Sequence, residues 1–178
     1  MSRLTPEVSE EDHAIGPPTA RVTLVEFGDF ECPHCAQLIP LIAAARKAFG
    51  GNLRFVFRHF PLRSSHPHAL AAARAAEAAA EQGKFWEMYD QLYRHQSKLE
   101  DEDLLRHARE IGLEMPRFER ELASGGAESR IRAHLGSASQ SGAAGTPTLF
   151  INGERYEGEQ EREPLFAALA RAAVAATT

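Results

Sequence analysis

The chain has 178 residues, of which 43% are hydrophobic and 25% are charged, a composition that suits one domain with a buried core. The net charge is −5 with acidic and basic residues interleaved, which argues against nucleic acid or an anionic membrane as a partner. No stretch is apolar for long enough to predict a membrane span. Residues 1–18 lack the apolar core of a secretory signal. The sequence as it stands therefore predicts a cytoplasmic protein, or a periplasmic one if a leader was removed.

The first third of the chain has the pattern of a βαβ unit. Residues 1–18 are polar and end at Gly16-Pro17-Pro18, which predicts a flexible lead-in. Residues 22–27 and 53–58 are rich in β-branched and aromatic residues and predict two strands. The apolar-periodic stretch 33–49 between them predicts a helix, and a connection of this kind favours parallel strands.

The rest of the chain predicts a helical block followed by a second piece of sheet. Helical patterns occur near 69–81, 85–96, 101–111, 116–123 and 128–140. Strand character returns at 148–151, where Asn152-Gly153 predicts a hairpin into 154–156, and a last helix follows near 163–175. This order predicts an α/β core formed by 19–65 and 143–178, with 66–142 as an all-helical insertion.

The two cysteines of the chain, Cys32 and Cys35, stand in the sequence Cys-Pro-His-Cys where the first strand gives way to the first helix. Pro33 suits a first helical turn. Unpaired N–H groups and the dipole at a helix N-terminus favour an anion such as a thiolate, so the motif predicts a redox dithiol. Two alternatives stay open at this point. One is a structural zinc site, which would need histidines or a partner subunit for its other ligands, and the other is a pair of inert thiols.

Three stretches of the chain, the first of which contains this motif, resemble the DsbA-like branch of the thioredoxin superfamily. The stretches are Phe27-Gly-Asp-Phe-Glu-Cys-Pro-His-Cys35, Phe57-Arg-His-Phe-Pro61 and Gly145-Thr-Pro-Thr148. The sequence is also similar to those of soluble bacterial members of this branch and of thioredoxin-like domains fused to some sodium/proton antiporters. The resemblance implies a thioredoxin-like fold, a central mixed β-sheet flanked by helices with the helical insertion. It also implies a thiol–disulfide oxidoreductase.

Roles for the motif residues follow from their positions and from this resemblance. Cys32 precedes the helix and is expected to be the nucleophile, while Cys35 lies one turn further in and would resolve the mixed disulfide. His34 is expected to donate to the Cys32 thiolate or to stabilise its charge, with an exposed loop side chain as the alternative. Pro33 and Phe30 belong to the same motif, and the resemblance places Phe30 in substrate binding.

Two further positions complete the predicted site. Thr146-Pro147 resembles the cis-proline loop that faces the cysteines in this superfamily, and the backbone of Thr146 would pair with an extended substrate peptide. An ordinary trans turn is the alternative. Glu26 lies in an apolar strand, where a carboxylate is costly to bury. The resemblance makes Glu26 a proton relay to Cys35, and partial exposure to solvent is the alternative.

No metal or cofactor is expected. His59, His66 and His68 are candidate metal ligands, but ligation needs convergence in space, which the sequence does not reveal. The predicted partners are protein or peptide thiols and disulfides, together with a redox partner, which would be a membrane oxidase, a thioredoxin system or glutathione. Alternative functions are a cytoplasmic disulfide reductase, a glutathione-linked exchanger, or a non-enzymatic redox-sensing or peptide-binding module.

Overall fold

The computed structural model describes residues 2–176. Its strands are β1 His13–Ile15, β2 Val22–Gly28, β3 Leu53–His59, β4 Thr148–Ile151 and β5 Glu154–Tyr156. Its helices are α1 Pro33–Phe49, α2 Ala69–Ala80, α3 Phe85–Arg94, α4 Asp101–Glu110, α5 Met115–Ser124, α6 Ala127–Gln140 and α7 Arg162–Ala175, with a short 3-10 turn at Gly50–Asn52. None of the helices within residues 2–176 combines the length and hydropathy that crossing a bilayer requires.

The strands form one mixed sheet in the order β1-β3-β2-β4-β5. β2 and β3 run parallel, as the helix between them predicts, whereas β1, β4 and β5 pair antiparallel with their neighbours. The hairpin between β4 and β5 turns at Asn152 and Gly153, which both have positive φ, the backbone that a tight two-residue turn requires. The predicted thioredoxin-like fold with a helical insertion between β3 and β4 is confirmed.

Apolar residues cover both faces of the sheet. On one face, side chains of β2 and β3 pack with those of α1, α7 and the inserted helices. The insertion is built around α2, whose alanines are small enough to let α3, α4, α5 and α6 all approach it. On the other face a smaller cluster joins the sheet to the N-terminal segment and to α6; it comprises Leu4, Val25, Phe27, Val56, Ala138, Ala143 and Phe150.

The segment predicted as a flexible lead-in over 1–18 is attached to the sheet in the part that the structure describes, residues 2–18. Its last part forms β1, which pairs with β3, and Arg3 makes an isolated bridge to Glu154 of β5. The segment therefore runs across one face of the sheet from one edge to the other. Arg58 of β3 is one anchor of this segment, because it is a buried cation that needs partners. Its guanidinium donates to the carboxylate of Asp12 at 2.8 and 2.9 Å and to backbone carbonyls of residues 6 and 7.

Candidate active site

Cys32 occupies the N-cap of α1, after a three-residue loop that follows β2. Its backbone N–H donates to the carbonyl of Asp29 at 3.1 Å, and its own carbonyl accepts from the N–H of Ala36 at 3.2 Å. Pro33 is the first residue of the helix, where the missing N–H costs nothing. Only 3% of Cys32 is exposed. The strand and the helix together therefore fix this sulfur at the helix N-terminus, as the sequence predicts.

The surroundings of Cys32 favour its thiolate. A hydrogen bond from the Cys35 thiol, together with the backbone N–H groups of His34 and Cys35 and the neighbouring Thr146, outweighs the effect of burial and lowers the pKa of Cys32 to about 5. The Cys32 sulfur lies 3.4 Å from the carbonyl oxygen of Thr146, and the protonated thiol can donate a hydrogen bond to that oxygen. The His34 side chain is exposed, so the part of His34 that reaches the sulfur is its backbone N–H.

Cys35 has the opposite character. It is fully buried on the inner side of the first helical turn, and both cysteines are free thiols. Burial, the hydrogen bond that it gives to Cys32 and the charge of Glu26 all raise the pKa of Cys35 well above its ordinary range. One sulfur is therefore suited to act as an anion near neutral pH, and the other holds its proton until a base removes it.

Glu26 lies beneath this pair on β2 and is completely buried, which contradicts the alternative of a partly solvated strand position. Neither carboxylate oxygen has a hydrogen-bond partner of standard geometry among residues 2–176. Burial raises the pKa of Glu26 to about 8, and the neighbouring Cys35 thiol offsets only part of that rise. A β-carbon on Gly28 would lie 2.9 Å from Oε1 of Glu26, so the glycine leaves the carboxyl its space.

The loop before β4 faces Cys32. The Thr146–Pro147 bond is cis, as the resemblance implies, and the Thr146 carbonyl is the group that approaches the Cys32 sulfur. The Oγ1 of Thr148 donates to the carbonyl of Gly145 at 2.7 Å and closes the loop on itself. The hydroxyl of Thr146 is buried and has no hydrogen-bond partner among the described residues.

Phe30 does not lie where the sequence analysis places it. Only 1% of the residue is exposed, so its ring offers no surface to a substrate. The ring packs instead at 5.2 Å from that of Phe57 and at 5.0 Å from that of Tyr93, within the aromatic core. The reason is that β2 directs the following loop inward, and the ring anchors the loop that carries Cys32.

Asp29 is a residue that the sequence analysis did not single out, and it organises that loop. Its buried carboxylate accepts from the N–H groups of Glu31 and Leu62 and pairs with Nδ1 of His66, each at 2.8 Å. A second pair of the same kind joins Nδ1 of His68 to Glu31 at 2.9 Å. An Asp shortly before a helix is a common acceptor for loop N–H groups, which is the signal that could have revealed it.

The insertion also reaches the loop. Nε2 of Gln96 donates to the carbonyls of Phe30 and Cys32 at 2.8 and 2.9 Å. The Tyr93 hydroxyl donates to the carbonyl of Asp29 at 3.3 Å. The carbonyls of Asp29 and Cys32 thereby accept a second donor beside their backbone N–H partners, and the Phe30 carbonyl gains a side-chain donor. The helical insertion therefore contacts the loop that carries the dithiol and helps to hold its geometry.

A family model described as thioredoxin matches residues 8–171. The chain belongs to the thioredoxin family. Among solved structures, a thioredoxin-like oxidoreductase from Silicibacter pomeroyi DSS-3 superposes with a TM-score of 0.82 at 30% identity, covering 92% of this chain and 93% of that one. The thiol-disulfide exchange protein alpha-DsbA2 from Wolbachia pipientis has the same fold, with a TM-score of 0.81 at 22% identity and coverage of 92% and 88%. The resemblance to DsbA-like proteins is confirmed.

Curated relatives of this thioredoxin-family chain are larger proteins. A protein named Na(+)/H(+) antiporter NhaA 1 from Salinispora arenicola is 44% identical over 169 residues, which are 95% of this chain and 26% of the relative. One named Na(+)/H(+) antiporter NhaA 3 from Salinispora tropica is 45% identical over 166 residues, 93% of this chain and 25% of the relative. The chain therefore spans about a quarter of the length of these relatives, which fits the predicted likeness to antiporter-fused domains.

Proposed function

We propose that the chain is a thiol–disulfide oxidoreductase that exchanges disulfides with protein substrates. The observation that carries this proposal is the pair of opposed thiols, Cys32 with its pKa lowered to about 5 and Cys35 with its pKa raised. A thiolate is the attacking species in thiol–disulfide exchange, so the first sulfur is the nucleophile. The family and the DsbA-like structural neighbours support the same activity.

In the reducing direction, the Cys32 thiolate attacks one sulfur of a substrate disulfide, forms a mixed disulfide and releases the other substrate sulfur as a thiolate. Cys35 then loses its proton, attacks the Cys32 sulfur and releases the second substrate thiolate. The dithiol is oxidised to the Cys32–Cys35 disulfide, and the substrate gains two electrons. Oxidation of a substrate dithiol is the reverse sequence.

Glu26 is the proposed base in the second step. It is buried beneath Cys35, and its pKa of about 8 makes it able both to accept and to release a proton near neutral pH. Because neither oxygen has a hydrogen-bond partner of standard geometry among the described residues, the carboxylate form is free to take the proton of the Cys35 thiol. The carbonyl of Thr146, beside the Cys32 sulfur, is the proposed acceptor for the backbone of a bound peptide.

The stabilised thiolate also allows a prediction of the reduction potential of the Cys32–Cys35 pair. Thioredoxin combines a cysteine pKa of about 7 with a potential of roughly −270 mV. Lowering that pKa to about 5 stabilises the reduced form at pH 7 by roughly 2 kcal/mol, equivalent to about 50 mV. The expected potential is therefore about −220 mV. This lies near the cytosolic glutathione pool, so the pair would reduce or oxidise according to its compartment and redox partner.

The proposal is tested by trapping the intermediate. Cys35→Ser should accumulate a mixed disulfide with a reduced, unfolded client protein presented with glutathione disulfide, visible as a reductant-sensitive mass increase. Cys32→Ser is the matched control and should accumulate none. Insulin reduction and the reoxidation of a scrambled substrate should be lost in Cys32→Ser. Full turnover by that variant, or trapping through Cys35 alone, would rule out the assignment.

A second candidate function is a redox-sensing module that regulates a partner without turnover. It is supported by relatives that are named as antiporters and of which this chain spans about a quarter. In that case the oxidation state of the cysteines should change binding to a partner, while insulin reduction stays at the level of the buffer thiols. Partner binding that is unchanged between the dithiol and disulfide forms would exclude this role.

A further inference from the structure

Away from the dithiol, three metal-ligating side chains from three separate elements converge. They are His13 of β1, His59 at the end of β3 and Glu77 of α2. Nε2 of His13 lies 2.6 Å from Oε1 of Glu77, and Nε2 of His59 lies 2.7 Å from the same oxygen. The three ligand atoms all lie within 4.8 Å of one another. His59 and Glu77 are buried, and His13 is largely covered.

We propose that His13, His59 and Glu77 bind one divalent transition-metal ion of the Zn²⁺ class. Imidazole nitrogen and carboxylate oxygen are ligands for such ions, and two histidines with one glutamate form a known zinc set that leaves a fourth position for water. From the sequence, His59, His66 and His68 are candidate ligands whose convergence in space is not revealed. The structure brings together a different set, in which only His59 is shared.

The surroundings of the cluster resemble the outer shell that supports metal ligands. Nε of Arg130 lies 3.0 Å from Oε2 of Glu77, which fixes the carboxylate and leaves Oε1 to face both imidazoles. The His13 ring stacks on Phe85 with ring centroids 3.6 Å apart, so its orientation is also set. The His134 ring lies 5.5 Å from that of His59 and accepts the backbone N–H of His59 at 3.0 Å. The donors are therefore held in place before any ion arrives.

The hydrogen bonds of His13 and His59 to Glu77 can be replaced by bonds to a metal ion. Because a carboxylate only accepts hydrogen bonds, both imidazoles carry a proton on Nε2 in the present arrangement. An ion would take the place of the two Nε2 protons, and each neutral ring would then carry its proton on Nδ1.

Such an ion would join the N-terminal strand to the sheet and to the insertion. β1, β3 and α2 each contribute one ligand, so the metal would crosslink segments that are far apart in the chain. A ligand at free concentration L that binds the folded state alone raises the free energy of unfolding by RT ln(1 + L/Kd), and the unfolding temperature rises with it. The purely hydrogen-bonded cluster, with no affinity for metal, is the alternative that the experiment must exclude.

The test uses the full chain with Cys32→Ser and Cys35→Ser, because free thiols would themselves take up zinc. Zinc titration by calorimetry is expected to give one ion per chain and a higher unfolding temperature. Adding Glu77→Gln or His13→Asn should weaken zinc binding by at least about tenfold. His66→Gln removes a histidine–carboxylate pair elsewhere and should leave the zinc affinity unchanged.

A spectroscopic readout keeps the proposal falsifiable if a variant folds poorly. In nitrogen-detected NMR of the thiol-free chain, zinc should switch His13 and His59 from the Nε2–H to the Nδ1–H tautomer. The cobalt form should absorb in the visible without a thiolate charge-transfer band. The proposal is overturned if the thiol-free chain binds no zinc, if Glu77→Gln binds as tightly as its parent, or if the two histidines keep their tautomers.

Discussion

Replacing Glu26 by glutamine should stabilise the protein, by an amount that depends on pH. The carboxyl is completely buried and its pKa is raised to about 8. In the unfolded chain the same group titrates near its ordinary value, so between about pH 4.5 and pH 8 the folded state holds a proton that the unfolded state has lost. Unfolding therefore becomes easier as the pH rises through this window. Glutamine carries no charge and does not impose this penalty.

The magnitude follows from the two pKa values. Each unit of difference is worth about 1.4 kcal/mol, so ionisation of the unfolded state costs the wild type about 3 kcal/mol of stability at pH 7 and almost nothing at pH 4. The advantage of Glu26→Gln should grow by about 3 kcal/mol between pH 5 and pH 7.5. A buried amide adds a cost of its own, but that cost does not vary with pH.

The assay is urea unfolding of the reduced wild type and of Glu26→Gln at a series of pH values. Glu119→Gln, at an exposed position of α5, is the matched control and should differ from the wild type by the same amount at every pH. If the difference for Glu26→Gln is equally flat, the carboxyl titrates normally in the folded state. The reasoning that makes it a proton relay would then fail as well.

Three further predictions concern the loop and the strand beside the dithiol. The thiolate absorbance of Cys32 should titrate near pH 5 and disappear in Cys32→Ser. His34→Ser keeps the backbone N–H and should raise that pKa by less than about one unit, since exposed charges interact weakly; a rise of two units would show that the imidazole acts directly. Gly28→Ala would place a β-carbon 2.3 Å from Cε2 of Phe57 and should cost about 1–3 kcal/mol in urea unfolding. Gly51→Ala meets no atom within 4 Å and should be nearly neutral, so equal losses would contradict the packing argument.

Local patterns account for what could be predicted from the sequence. The predicted helices agree with the observed ones to within two residues at each end, because apolar periodicity and turn residues lie within each segment. The placement of Cys32 at a helix N-terminus depends only on β2, α1 and Pro33, which are neighbours in the chain. The apolar strand around Glu26 left both burial and partial exposure open, and the cis bond at Pro147 was implied by the resemblance alone.

The features that could not be predicted from the sequence depend on polar partners that lie far apart in the chain. The N-terminal segment has no apolar period, and one of its anchors is Arg58, which lies 46 residues beyond Asp12. The convergence of His13 on Glu77 spans 64 residues and depends on where α2 packs. Phe30 is in a loop without periodicity, so a motif could suggest a role for it but could not fix the direction of its ring.

The path of residues 2–15 across the sheet has a consequence for folding and aggregation. β1 covers the free side of β3, and Arg3 bridges to β5 at the opposite edge, so the same segment protects both edges of the sheet. Whenever this segment dissociates from the sheet, unpaired N–H and C=O groups of β3 become available to a strand from another molecule. Its contacts also join residues more than a hundred positions apart, such as Thr5 with Ser141. We therefore expect the segment to dock late, and fibrils or swapped dimers to start from chains in which it has not yet docked.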